Sequence, residues 1–138
     1  MDKDKLVALL NEDLELEFRS LVQYTQHLAT VKGVEFQPVA EMIRPHLKQE
    51  LEHATVLAEQ IDFLGGVPTT RVPEVPSEPN SEEAFALDLE LEERQLAGYR
   101  ERYEQAQELG LPDVAEALRP LLEQTQDHVR DLRGVLGK

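Results

Sequence analysis

Along most of this chain apolar residues return every three or four positions, the period of a helix with one buried face. The pattern predicts four long helices. The first runs from about Lys3 to Val31, and the third from about Ser81 to Glu108, where "NSEE" offers Ser81 as an N-cap. The second opens near Pro38 and closes at "LGG"; the fourth opens at "LPD" and closes near Gly134 to Gly137, with proline in the first turn and glycine at the exit. Pro45 and Pro120 fall inside the second and fourth helices, where a missing N–H and a ring clash predict a kink or a local bulge. Residues 64–80, "LGGVPTTRVPEVPSEPN", are rich in proline and have no helical period. They are too long for a tight turn between antiparallel neighbours and predict an extended crossover.

The pattern is also written twice. "DLELE" stands at residues 13–17 and again at 88–92, and the same offset of 75 matches Arg19 with Arg94, Leu21 with Leu96, Tyr24 with Tyr99 and "VAEMIRP" with "VAEALRP". Without a gap, residues 1–63 share 17 identical positions with residues 76–138, against roughly five by chance. The expected fold is therefore all-α: a four-helix bundle of two duplicated helical hairpins, about 1–63 and 76–138, joined by a crossover over about 64–80. At 138 residues the chain is expected to form a single domain.

Composition narrows the function. A formal charge of −14, with Lys and Arg scattered among carboxylates, argues against a nucleic-acid partner or an anionic membrane and favours cations as ligands. The absence of cysteine excludes disulfides, thiolate metal sites and Cys nucleophiles. The start, "MDKDKLVALL", is too charged for a secretory signal, and no apolar run approaches ~18 residues, so a soluble, cytoplasmic protein is expected.

A duplicated helix pair must repeat its core leucines, but packing gives it no reason to repeat a Glu, a Tyr and a His at matched depth. Glu17 and Tyr24 lie two turns apart on one face, and Glu92 and Tyr99 repeat the spacing. Glu50 and His53 form Glu-x-x-His, whose side chains meet on one face and can grip one metal ion together. His128 repeats His53, but Thr125 stands where the partner of Glu50 should be. Tyr24 and Tyr99 read either as core residues or as hydrogen-bond donors to a ligating carboxylate. His27 and His46 have no counterpart under the offset and read as structural or surface residues; Glu15, Glu90, Glu52 and Asp127 read as a solvated face.

With these residues the chain resembles the ferritin-like carboxylate-bridged di-metal proteins, and among them it is most similar to bacterioferritin. "LNEDLELEFRSLVQYTQHLATVKG" is similar to that family's first helix and "ELEHATVLAEQIDFLGGVP" to its second helix and exit turn; the third and fourth match through the second "DLELE" and His128. The resemblance implies a ferritin-like bundle holding iron, with zinc or manganese as alternatives, on Glu17, Glu50, His53, Glu92 and His128. Glu17 and Glu92 would be terminal ligands and Glu50 the bridge. Three departures qualify it. Leu51 occupies the position of the heme-ligating Met, so no heme is expected, and the chain stops at Lys138 without the short fifth helix, so a 24-subunit cage is not expected.

The third departure is Thr125, which replaces a bridging carboxylate. Glu17, Glu50 and Glu92 supply −3 against the +4 of two divalent ions, an imbalance that costs several kcal/mol in a bundle interior. One tight position, at Glu17, Glu50 and His53, and one weaker position are expected. The implied function is ferrous iron binding, with oxidation by dioxygen; the alternative is a helical scaffold or interaction protein of the same fold with little metal chemistry. Pairing into a homodimer or larger homo-oligomer is expected on symmetry grounds.

Overall fold

Asp2 starts the first helix by accepting the Lys5 N–H at 2.8 Å. In the computed structural model, which describes residues 1–138, α1 spans Lys3–Thr30, α2 Gln37–Phe63, α3 Ser81–Glu108 and α4 Pro112–Val135, with a short 3₁₀ turn at Val34–Phe36. The cap of α3 is Asn80, not Ser81: its side chain accepts the Glu83 N–H at 3.0 Å from an extended backbone. Ser81 Oγ instead accepts the Lys32 N–H at 3.0 Å, tying the start of α3 to the end of α1. No break or π bulge interrupts α2 at Pro45 or α4 at Pro120. Both prolines are exposed, as are Glu41 and Glu116 four residues before them, so water can take the carbonyls that the missing N–H groups leave free. Gly65 and Gly110 end α2 and α3 at φ of 86° and 73°, a conformation that favours glycine.

Around the bundle α1 packs on α2 and α3, and α4 packs on α3 and α2. The crossover runs the length of α1. Asn11 Nδ2 donates to Val67 O at 3.1 Å and Asn11 Oδ1 accepts the Thr69 N–H at 2.8 Å, while Ser81 meets Lys32 at the far end. Seventeen extended residues reach at most about 56–61 Å, enough to follow a 28-residue helix of about 42 Å. Glu15, expected on a solvated face, pins this strap by accepting from Thr69 Oγ1 and Arg71, both at 2.9 Å.

Two apolar clusters fill the ends of the bundle, one containing Leu6, Leu10, Leu57, Ile61 and Leu118 and the other Leu28, Ile43, Phe85, Val129 and Leu132. Between them the interior is polar: 14 of the 38 buried residues carry polar or charged side chains, far more than packing alone selects. No helix is long and apolar enough to cross a membrane.

The repeated "DLELE" now has a physical content. Asp13 on α1 accepts from Arg102 Nε of α3 at 2.9 Å, while Asp88 on α3 lies 2.8 Å from His27 Nδ1 of α1 and accepts from Gln23 Nε2 at 2.9 Å. Arg102 stands 75 residues after His27, and Gly98 stands 75 after Gln23. A Cβ at position 98 would sit 3.0 Å from Asp13 Oδ1, so glycine makes room where the bulkier Arg replaces His. These paired contacts lock α1 to α3 on either side of the middle, and they make His27 a buried structural residue.

Candidate metal centre

The interior stripe of each helix continues through the middle of the bundle while its residue type changes. On α1 the stripe Leu10, Leu14, Glu17, Tyr24, Leu28 keeps helical spacing, and on α2 Ile43, His46, Glu50, His53, Leu57 does the same. Glu17, Glu50, His53, Glu92, Thr125 and His128 are all at most 1% exposed, and the four helices bring the five expected site residues to one centre.

Glu50 lies in the middle. Its Oε1 is 3.1 Å from His128 Nδ1 and its Oε2 is 3.6 Å from His53 Nδ1. His53 Nδ1 is also 3.4 Å from Glu17 Oε1, and His128 Nδ1 is 3.3 Å from Glu92 Oε1. Ligand-type atoms of Glu17, Glu50 and His53 lie within 4.8 Å of one another, and so do those of His46, Glu92 and His128. The outer edges of the rings face glutamine oxygens: His53 Nε2 is 2.8 Å from Gln124 Oε1, and His128 Nε2 meets Gln49 Oε1. An amide oxygen only accepts, so each ring carries a proton on Nε2 and turns Nδ1 toward the carboxylates. Tyr24 donates to Glu92 Oε1 at 2.8 Å and Tyr99 donates to Glu17 Oε1, which leaves Oε2 of each carboxylate unpartnered.

Sequence reasoning missed three residues here. Gln49 and Gln124 repeat under the offset, which was the available signal, but each serves the histidine of the other half. His46 was read as structural or surface. It is buried and stacks on His128 with ring centroids 3.8 Å apart, and its position one turn before Glu50 was the only sign.

Without a metal, protons neutralise the centre. Burial would lower His53, but the carboxylates of Glu17 and Glu50 outweigh it and raise the imidazole to about 11. Burial likewise opposes, and Glu50 and Glu92 override, a rise of His128 to about 9. Burial, reinforced by the charge of Glu50, pushes Glu92 up to about 8. Burial first, then the facing carboxylates Glu92 and Glu17, keep Tyr24 and Tyr99 as neutral phenols.

His53, His128 and Glu92 each bind a proton more tightly folded than unfolded, so the folded state holds more protons above the unfolded values of about 4.5 to 6.5. Stability of the metal-free protein therefore falls as pH rises through about 8, 9 and 11. The expected result is a melting temperature that drops between pH 6 and 9 without metal, and a stabilisation by added metal that grows over the same range because metal displaces these protons. Calorimetric scans with and without Co²⁺ check both slopes; a metal-free melting temperature that climbs with pH contradicts this account.

The donor set fits divalent cations. Glu17 Oε2, Glu50 Oε2, Glu92 Oε2, His53 Nδ1, His46 Nδ1 and Thr125 Oγ1 are buried without a hydrogen-bond partner, and each such atom costs about 1–3 kcal/mol if nothing binds it. Carboxylate oxygen and imidazole nitrogen are the donors that iron, manganese and zinc accept.

The sequence matches the family described as Ferritin, ferritin-like domain, over residues 7–138. Among solved structures the chain is similar to one described as ferritin like, diiron-carboxylate proteins from Bacillus anthracis str. Ames, with 29% identity, a TM-score of 0.92 and 99% of each chain covered. No curated protein matches the chain significantly.

Proposed function

The chain belongs to the ferritin-like domain family, and from that premise we propose that its buried centre binds ferrous iron as substrate and passes the electrons to dioxygen. The observation that carries the reading is Glu50, whose two oxygens face His128 and His53 from the core of the bundle. Glu17, Glu50 and His53 would hold one ion, and Glu92 and His128 would hold a second that shares Glu50. Gln124 and Gln49 orient the imidazoles, and Tyr99 and Tyr24 each donate to one oxygen of a carboxylate, fixing its position and leaving the other oxygen without a partner. Each ferrous ion yields one electron, so two ions and two protons convert one dioxygen to hydrogen peroxide. Manganese and zinc are chemical competitors for the same donors. The proposal extends to a bacterioferritin-like, cytoplasmic homo-oligomer; Val22 and Leu51, large apolar side chains on the outside of α1 and α2, are candidates for its contact surface.

Anaerobic titration with ferrous iron tests the reading. The first ion is expected to bind at least about tenfold more tightly than the second, because only the first position has a complete Glu-x-x-His, while Thr125 stands where the second would have its own bridging carboxylate. His53→Ala is expected to weaken the first ion more than His128→Ala does. Two equally tight ions would show that Thr125 has no such effect, and an absence of iron binding would leave the helical scaffold as the function.

A further inference from the structure

Two departures from the 75-residue repeat meet at the same end of the centre. Thr125 stands where the repeat calls for a carboxylate, and His46 stands where the other half has Leu121. The tight group is Glu17, Glu50 and His53; its image under the offset is Glu92, Thr125 and His128. What the structure gathers there instead is His46, Glu92 and His128.

The hydrogen bonding of His46 selects its free atom. Its Nε2 lies 3.1 Å from Asp131 Oδ2, and an ionised carboxylate can only accept, so Nε2 carries the proton and Nδ1 keeps its lone pair. That Nδ1 is buried and has no partner. The ring packs face to face on His128 and edge-on to Tyr24, at centroid distances of 3.8 and 5.9 Å, which hold it against the centre. Asp131 has no equivalent in the other half, where Val56 occupies the matching position, so ligand and orienting carboxylate came as a pair.

We propose that His46, oriented by Asp131, takes the coordination place lost at Thr125 and makes the second position imidazole-rich. The inference rests on the metal-binding reading above. Asp131, partly exposed behind the ring, adds negative charge on the same side, screened by solvent, so the compensation supplies a donor and offsets part of the missing charge. Two imidazoles at one position and one at the other make the pair chemically unequal: the nitrogen-rich position should rank Co²⁺ and Zn²⁺ over Mn²⁺ more steeply than the oxygen-rich one.

The test is a Co²⁺ titration of the full chain, followed by the visible absorption of the bound ion and by calorimetry, with a parallel Mn²⁺ titration read by electron paramagnetic resonance. Wild type is expected to bind two Co²⁺ per chain but to hold its second Mn²⁺ weakly. His46→Gln should weaken the second Co²⁺ by about 10- to 100-fold and change its spectrum while leaving the first in place. Asp131→Asn should weaken the same ion by about tenfold or less. His27→Gln, a buried histidine outside the centre, should leave both ions unchanged and serves with circular dichroism as the control for general damage. If His46→Gln keeps two ions with wild-type affinity and spectrum, or loses both while still folded, the assignment of His46 is overturned although the chain remains a metal binder. If wild type takes up no Co²⁺ and no iron, the metal reading fails and this inference fails with it.

Discussion

Glu50→Gln is expected to weaken metal binding at both positions by at least about 100-fold, roughly 2.7 kcal/mol each, where every other single ligand change should strike mainly one. The reason is geometric. Glu50 alone faces both histidines, with Oε1 toward His128 and Oε2 toward His53, whereas Glu17 and Glu92 each meet one. Glutamine keeps the shape but offers one neutral oxygen and one NH2 group, and the NH2 must point at an imidazole edge or at an incoming cation. Metal-free stability should fall as well, because removing one member of a buried charged set leaves the others uncompensated, a loss of about 3 kcal/mol unless a histidine releases its proton. Calorimetric titration of Glu50→Gln, Glu17→Gln and Glu92→Gln, each checked for helicity, decides the matter. Retention of one full-affinity ion in Glu50→Gln would show that the carboxylate is not shared.

Thr125→Glu is expected to change metal-free and metal-loaded stability in opposite directions. Thr125 is fully buried and its hydroxyl has no partner, whereas Thr25, Thr30 and Thr55 each donate to the carbonyl four residues earlier at 2.7 to 3.1 Å. A glutamate there completes the second Glu-x-x-His and brings the carboxylates of the centre to −4. With two ferrous ions bound the charges balance without Asp131, so the second ion should bind at least about tenfold more tightly and consumption of dioxygen should accelerate, because both electrons leave from one centre. Without metal the added carboxyl meets groups already neutralised among themselves and must repel them or take up a proton, at about 2 kcal/mol, roughly a 6 °C fall in melting temperature. The rise on adding metal should then exceed that of wild type. An unchanged iron stoichiometry together with an unchanged oxidation rate would argue that the centre does not act on iron.

Much of the fold could be read from the chain because a helix is a local object. Apolar spacing, the proline and glycine punctuation and the repeated "DLELE" depend on residues a few positions apart, so they give four helices, a crossover and two matched hairpins. The same period put Glu17, Glu50, His53, Glu92 and His128 on interior stripes, since a residue's face is set by its position along its own helix. Local chemistry misled where two local solutions compete, as at Asn80 and Ser81, either of which can cap; the contact of Ser81 with Lys32, two residues past the end of α1, goes with the choice of Asn80.

Everything that depends on which helix stands opposite was decided by packing. Tyr24 shares a face with Glu17 in the sequence but donates to Glu92, and Tyr99 donates to Glu17 rather than to Glu92 beside it. Gln49 and Gln124 likewise reach the histidine of the other hairpin, and His46 becomes part of the centre only because α4 lays His128 on its ring and Asp131 at its edge. The spacing of residues within a helix fixes a direction, but a hydrogen bond needs an atom about 3 Å away in that direction. Here that atom belongs to a neighbour dozens of residues distant, so only the assembled bundle could supply it.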